Sequence, residues 1–208
     1  MPIAKRLGGT LAALACAGLP ALSAAPDSPG RCGFTLLAGL PRQDFRDLTG
    51  RTGLGVGVFA ESELGSGTIL QTRVDYLQYP QTNQPQAGAI AAYTVPGPRT
   101  LAANSVALGV DLRHPLPLPG LERGFALAGV LAIRYEFDTS GLNTLTDQNG
   151  LPIGGIRRYK DKTPFRLGLA VGLGFELYRG MTLTERYTAV NINGATLATF
   201  ETGLSFRF

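Results

Sequence analysis

The chain has 208 residues, of which 44% are hydrophobic, 16% are charged and 28 are glycine, and its formal net charge is +4. This length suits one domain or at most two small ones, and so few charges exclude an intrinsically disordered chain. No segment after the N-terminus has the roughly 20 consecutive apolar residues of a spanning helix, which excludes a helical membrane protein.

The N-terminus has the pattern of a secretory signal peptide. Lys5 and Arg6 precede an apolar run over residues 7–22, and the small residues Ser23, Ala24 and Ala25 follow it. We predict a signal peptide over residues 1–24, with a boundary good to about two residues, and a single domain over 25–208.

A lipoprotein modified at Cys16 is a weaker alternative, because Ala13 stands where lipoproteins usually have leucine. Removing Lys5 and Arg6 lowers the formal net charge from +4 to +2, which is too little for a nucleic-acid-binding protein. Cys32 would be the only cysteine left, so neither an intramolecular disulfide nor a CxxC metal or redox site is expected.

From residue 33 onward the hydrophobic pattern alternates with period two, which is typical of β-strands with two different faces. The clearest runs cover 125–138 and 165–177. Each run has about 8–14 residues, which is close to the length of a strand that crosses a bilayer at a tilt. In chain order we predict eight antiparallel strands over 33–40, 52–60, 68–79, 101–113, 125–138, 165–177, 181–190 and 196–208.

The connections between these runs alternate in length, as they do at the two rims of a membrane barrel. Those at 61–67 and 178–180 are short, and the proline-rich one at 114–123 is moderate. Longer connections lie at 41–51, 80–100 and 139–163, with a short exception at 191–195. The alternation predicts an even number of strands, both termini on the short-turn side and no internal helix.

The composition of the polar strand face decides between a membrane barrel and a soluble, lipocalin-like barrel with an apolar interior. A water-exposed face should be rich in lysine, but the chain has only Lys5, Lys160 and Lys162. The polar face consists instead of glycine, alanine and threonine with sparse charges, which suits a narrow bore. We therefore predict an all-β, eight-stranded antiparallel transmembrane β-barrel. In strand 125–138 we expect the bulky side chains to face lipid.

The last residues carry a family resemblance. Phe200, Leu204, Phe206 and the terminal Phe208 alternate as in the final strand of bacterial outer-membrane barrels. The chain resembles the small eight-stranded OmpA-like and OmpX-like outer-membrane proteins. The resemblance implies a location in the bacterial outer membrane and makes these four residues an assembly signal for the barrel assembly machinery.

Charged residues on the predicted inner faces form the most informative set. Ionised groups in a narrow bore need partners, and the planar guanidinium of arginine pairs well with carboxylates. We therefore predict a salt-bridged, closed interior, with a narrow conducting path as the alternative. The set contains Glu61, Arg73, Asp75, Asp111, Arg113, Arg134, Glu136, Asp138, Arg166, Glu176, Arg186, Glu201 and Arg207. Glu185 would face lipid, so we expect a β-bulge or a register error there.

Aromatic residues at strand ends predict two girdles at the membrane interfaces. The outer girdle would contain Tyr76, Tyr135, Phe137 and Tyr187. The periplasmic girdle would contain Phe34, Phe125, Phe175, Tyr178, Phe206 and Phe208. In the loop that follows strand 125–138, Arg157, Arg158, Lys160 and Lys162 could contact lipopolysaccharide phosphates, although a plain solvated loop also explains them.

The sequence gives little support to an enzymatic function. The only histidine, His114, lies in a predicted periplasmic turn, and no serine with an obvious base accompanies it. Gly53, Gly55 and Gly57 lie inside a strand, so packing in the bore explains them better than a dinucleotide site. We expect no cofactor or metal and no nucleic-acid partner.

The predicted function is that of a non-enzymatic, monomeric barrel that acts in envelope integrity or surface interaction, with outer-membrane lipid and lipopolysaccharide as its surroundings. The alternative is a narrow channel, or a carrier for small hydrophobic molecules as in OmpW-like barrels.

Overall fold

The computed structural model describes residues 31–84, 89–90, 93–94, 99–116, 123–142 and 156–208. The predicted signal peptide lies outside these residues. No helix in the described ranges has the length and apolar character needed to cross a membrane. The elements in chain order are β1 (Arg31–Arg42), α1 (Gln43–Thr49), β2 (Gly53–Gly65), β3 (Thr68–Gln84), β4 (Ala89–Ile90), β5 (Tyr93–Thr94), β6 (Arg99–Pro115), β7 (Gly124–Leu142), β8 (Ile156–Lys162), β9 (Arg166–Tyr178), β10 (Met181–Ile192) and β11 (Ala195–Arg207).

Eight of these strands close into an antiparallel barrel. The hydrogen-bonded order is β1, β2, β3, β6, β7, β9, β10 and β11, and β11 pairs with β1 to complete the ring. The eight-stranded outer-membrane-type barrel is therefore confirmed. β4 and β5, with two residues each, pair antiparallel in a separate small sheet between β3 and β6 in the chain.

The two rims of the barrel differ. The short-turn end carries the connections β2–β3, β6–β7 and β9–β10 together with the start of β1 and the end of β11, and the long-loop end carries the others. Asn193 and Gly194 form a two-residue turn at the long-loop end, where φ is 52° and 89°. Two successive positive φ values fit the twist of a hairpin, which explains the short connection there.

β8 is a strand where the sequence analysis predicted a loop. It pairs with the long-loop half of β7 through Glu136–Lys162 and neighbouring positions, while β9 pairs with the other half of β7. Thr163 lies between β8 and β9, and its backbone N–H donates to the carbonyl oxygen of Tyr135 on β7 at 2.9 Å. Five of the six residues 157–162 are charged, so this sequence has no apolar alternation that would mark a strand.

The outer face of the barrel is apolar along most strands. Leu167 is 82% exposed and Leu54 is 68% exposed, and their neighbours at two-residue spacing are also exposed. A continuous band of this kind is stable only against lipid. The apolar face predicted for 165–177 is confirmed as the outer one.

α1 corrects the prediction that the chain has no internal helix. It begins directly after β1, ends at Gly50, which has the left-handed φ of 61°, and contacts β1, β3, β6 and β11. Asp44 fixes its start, because Oδ2 accepts the backbone N–H of Thr196 at 2.7 Å. Phe45 is 0% exposed, so the helix is anchored in the long-loop end of the barrel.

β7 has its faces opposite to the prediction. Its bulky residues, including Phe125, Tyr135 and Phe137, are buried in the bore. The register gives the reason, since Phe125 lies beside Gly174 and Leu127 beside Gly172 on β9. Large side chains on one strand fill the space left by glycine on the next. The girdle positions predicted for Phe125, Tyr135 and Phe137 are therefore wrong.

Candidate functional site

The buried side chains in the bore of the barrel form two layers. The layer at the long-loop end is an apolar cluster of buried side chains from the strands and from α1. Phe45 lies at its centre, with ring centroids 4.8 Å from Tyr79 and 5.0 Å from Tyr135 in edge-to-face geometry. The other layer holds the charged side chains, which form two groups.

The central cluster contains Arg73, Asp75, Asp111, Arg186 and Glu201, all of them buried. Arg73 binds Asp75, and its Nε lies 2.7 Å from Oδ2 of Asp111. Arg186 Nη1 lies 3.4 Å from Oδ2 of Asp75 and 3.6 Å from Oε2 of Glu201. Since β10 stands opposite β3 in the ring, Arg186 ties together two facing walls of the barrel.

The mouth cluster lies at the short-turn end and contains Glu61, Arg113, Glu176 and Arg207. Glu61 binds Arg113 and lies 3.5 Å from Nη1 of Arg207, and Nη2 of Arg207 is 3.2 Å from Oε1 of Glu176. The guanidinium of Arg113 also lies 4.0 Å from the centroid of the Phe125 ring. Each arginine in this cluster therefore has both a carboxylate and a second contact to hold it.

Four of the predicted interior charges lie elsewhere. Arg134, Glu136 and Asp138 occupy the outer face of β7, because the alternate residues of that strand are the buried ones. Arg134 lies 5.4 Å from the ring centroid of the exposed Phe165. Glu136 pairs with Lys162 at 3.3 Å, a partly exposed ion pair. Arg166 is exposed and joins none of the ion pairs between described residues.

Glu185 also departs from the prediction. Its strand continues in register across this position, with Glu185 opposite Thr202 on β11 and Leu173 on β9. The irregularity in β10 lies between Met181 and Thr182 instead. Glu185 therefore faces outward as its alternation indicated, and the hydroxyl of Thr202 donates to its carboxylate at 3.0 Å.

Glycines on neighbouring strands make room for the central cluster. Gly57 lies opposite Asp75, Gly109 opposite Arg73 and Gly129 opposite Asp111. A Cβ atom at Gly109 would lie 2.9 Å from Cζ of Arg73. The expectation that Gly53, Gly55 and Gly57 serve packing agrees with this pattern, since a Cβ at Gly53 would meet the ring of Tyr79 at 2.7 Å.

We expect the substitution Gly109→Ala to lower the free energy of unfolding by about 1–3 kcal/mol, because the added methyl group displaces the Arg73 guanidinium from its carboxylates. Urea unfolding of the refolded barrel, followed by circular dichroism, measures this difference. An unchanged midpoint would contradict the close approach of β6 to Arg73.

His114 is the residue whose catalytic role the sequence analysis considered. His114 lies at the short-turn end, where Nδ1 is 3.0 Å from the hydroxyl of Thr68. Within the described ranges no three His, Cys, Asp or Glu side chains are grouped so that they could hold a metal ion. The four arginines and five carboxylates of the two clusters pair with one another across the bore.

The other predicted sites are the assembly signal and the cations of β8. Phe206 of the expected assembly signal stacks on Phe34 at 4.9 Å, and Phe200 and Phe208 are exposed on the outer face. Arg157, Arg158, Lys160 and Lys162 lie on β8, where Lys160 is opposite Asp138 of β7. The side chains of residues 157–159 lie outside the described set.

The contributors to the bore that sequence reasoning misses include the buried face of β7 and Phe45. The sequence analysis has Phe45 in the connection 41–51 and Tyr135 in the outer girdle. Thr188 was not considered, although its hydroxyl donates to Oε1 of Glu201 at 2.9 Å. The signal for Phe45 was its spacing from Leu48 and Thr49, which puts all three on one face of a short helix before Gly50.

Comparisons with known proteins agree with this geometry. The model of the outer membrane protein beta-barrel domain matches residues 9–208. No curated protein sequence matches significantly.

Solved structures of similar fold include three bacterial barrels. The attachment invasion locus protein Ail of Yersinia pestis, solved in complex with the heparin analogue sucrose octasulfate, is 12% identical with a TM-score of 0.50, and the match covers 87% of this chain and 100% of that one. The N-terminal β-barrel domain of Pseudomonas aeruginosa OprF is 9% identical with a TM-score of 0.49, covering 86% and 100%. Neisserial surface protein A is 12% identical with a TM-score of 0.48, covering 87% and 98%.

The match to Ail, with a TM-score of 0.50 and 12% identity, supports the fold alone, whereas the family model spans nearly the whole chain. The chain belongs to the outer membrane protein β-barrel domain family, and its location is the outer membrane.

Proposed function

We propose that this protein is a non-enzymatic barrel with a closed bore that acts in envelope integrity or surface interaction. The observation that carries the proposal is the burial of Phe45 between Tyr79 and Tyr135 at the long-loop end. A side chain from α1 packs there against aromatic rings of β3 and β7, and close packing of this kind supports a bore without a continuous path for water.

The charged layers support the same proposal. An ion that crosses the bore would have to displace the ion pairs of Arg73 and Arg186 with carboxylates on other strands. Breaking a buried pair costs about 3–5 kcal/mol, so spontaneous opening is rare. The carrier alternative needs an empty apolar cavity, whereas the apolar half of this bore is filled with side chains.

We further propose that residues 1–24 are removed on export and that the short-turn end faces the periplasm. Both termini of the barrel lie at the short-turn end, which is the periplasmic arrangement of outer-membrane barrels. N-terminal sequencing of protein from outer-membrane fractions is expected to start within about two residues of Ala25. A start at Met1 would contradict the signal peptide.

Lipopolysaccharide contact through β8 is a proposal of the same kind. The cations Lys160 and Lys162 stand on the outer half of the barrel wall, with Arg157 and Arg158 further along the strand. Glu136 pairs with Lys162 at 3.3 Å and Asp138 lies opposite Lys160 in the strand register, so we expect Arg157 and Arg158 to carry most of the phosphate binding. Replacing both arginines by glutamine should weaken lipopolysaccharide binding more than replacing both lysines.

The test of function separates the barrel from its long loops. We would replace residues 85–98 and 143–155 by short turns in a strain that lacks the native gene, and compare detergent sensitivity with adhesion to surfaces or cells. A role in envelope integrity requires the shortened barrel to restore detergent resistance, and a role in surface interaction requires adhesion to be lost with the loops. If the native gene affects neither property but changes uptake of a small solute, the proposal is wrong.

A further inference from the structure

A cavity of about 250 Å³ opens at the short-turn end of the bore. One part of its wall is apolar and includes Ile69, Pro115 and Phe125. The other part is charged and includes Arg113, Arg123 and Arg207 together with Glu176. The central cluster and the apolar layer lie above this cavity and are not part of it.

The cations around this cavity outnumber the carboxylates that face them. Glu61 and Glu176 are already bound to Arg113 and Arg207. Arg123 is exposed and joins none of the ion pairs between described residues. With all groups ionised, three arginines and two glutamates leave one positive charge at the mouth of the bore.

Arg113 has an unsatisfied donor and lines the cavity. It is 8% exposed, and its Nε is one of five buried polar side-chain atoms without a hydrogen-bond partner in the described part of the chain; the other four belong to the central cluster and do not line the cavity. A buried guanidinium N–H without an acceptor costs free energy, and native structures rarely leave one so. Its planar group is held in place by Glu61 and by the face of Phe125, so this donor is fixed in direction.

We propose that the cavity at the short-turn end binds a small amphipathic organic anion, whose carboxylate or phosphate group accepts hydrogen bonds from Arg113 and pairs with Arg123 and Arg207. The apolar part of the ligand packs against Ile69, Pro115 and Phe125. Since a cavity of about 150 Å³ holds benzene, one of 250 Å³ holds a molecule of roughly ten non-hydrogen atoms. A ring or short chain with one anionic group has this size.

The proposal is tested with benzoate and phenyl phosphate as probes, which separate carboxylate from phosphate recognition. Benzamide has nearly the same shape as benzoate without the charge and reports partitioning into the micelle. The full mature barrel is refolded in a non-ionic detergent, and amide shifts are followed by NMR. We expect at least one of the two anions to bind saturably, with the largest shifts at Gly67, Gly124 and Thr182 around the cavity.

Two exposed arginines at the same end of the barrel provide a matched pair of variants. Arg123 lines the cavity, whereas Arg179 lies in the β9–β10 turn and does not. Arg123→Gln should weaken the binding by about tenfold, the loss of roughly one charge-assisted hydrogen bond, and Arg179→Gln by less than about twofold.

Three results would overturn the proposal. The first is that benzamide shifts the amide signals as much as both anions do. The second is that the amide shifts caused by the anions do not saturate or do not concentrate at the cavity. The third is that the two variants weaken binding equally. The last result would show general attraction to a basic rim. Each of these leaves the closed bore and the proposed function untouched.

Discussion

Replacing Arg73 by methionine is expected to lower the free energy of unfolding by about 3–5 kcal/mol. Arg73 is 4% exposed, and methionine keeps much of its volume without its charge. Asp75, Asp111 and Glu201 would then share the single cation Arg186 inside the bore. Uncompensated carboxylates in a narrow bore are costly, because neither water nor lipid can solvate them there.

Arg134→Met is the matched control for this substitution. The sequence pattern predicted both arginines in the bore, but the structure has Arg134 on the outer face, near the ring of the exposed Phe165. Loss of a cation–π contact at an exposed site costs about 0.5–1 kcal/mol. The chain has no tryptophan, so circular dichroism in urea is the suitable measurement. Equal losses for the two variants would contradict the placement of Arg73 and Arg134 on opposite faces.

Phe45→Ala should release α1 from the long-loop end of the bore. A helix of seven residues is not stable by itself, so its position depends on the packing of this ring. Truncating a buried phenylalanine costs about 3–5 kcal/mol, which corresponds to hydrogen exchange at residues 44–49 faster by about a hundredfold or more. Exchange in the central parts of β3 and β10 should stay slow.

Phe165→Ala is the control for Phe45→Ala, because Phe165 is exposed on the outer face and packs against nothing inside the bore. We expect it to leave exchange in α1 unchanged. Unchanged exchange in α1 of the Phe45→Ala variant would mean that the helix is held by its other contacts, such as the bond from Thr196 to Asp44.

The strand pattern of this protein is strong enough in its sequence to predict the barrel. All eight predicted runs correspond to barrel strands, because lipid on one side and a narrow bore on the other impose a period of two. The predicted strands are too short at the long-loop end, where β3 extends to Gln84 and β6 begins at Arg99. The sequence is polar at successive positions there, so the alternation ends before the hydrogen-bonded pairing of the strands does.

The direction of each face is harder to predict than the alternation. The outward face of β9 was predicted correctly, because its alternating glycine and leucine side chains differ so much in size. On β7 it was wrong, because alanine and valine suffice for contact with lipid while Phe125 and Leu127 are needed beside the glycines of β9. The face of β7 that lies in the bore depends on the pairing of β7 with β9 across a long loop. A single sequence does not show directly which strands pair.

Local sequence also hides the parts of the bore that come from loops. α1 is too short for a helical period to stand out, and only its Gly50 and the spacing of Phe45 and Leu48 indicate it. The charged residues were predicted with better success, because nine of the thirteen proposed positions lie in the two clusters or at their ion pairs. The four others lie on β7 and at the start of β9, where the face or the strand boundary was misjudged.

Planar-bilayer conductance tests the closed bore most directly. The mature chain would be refolded in detergent, and only protein with the heat-dependent gel shift of a folded barrel would be used. The packing around Phe45 and the ion pairs of Arg73 and Arg186 predict no steady openings. Steady, discrete openings from demonstrably folded protein would contradict the closed bore and assign the protein to the channels.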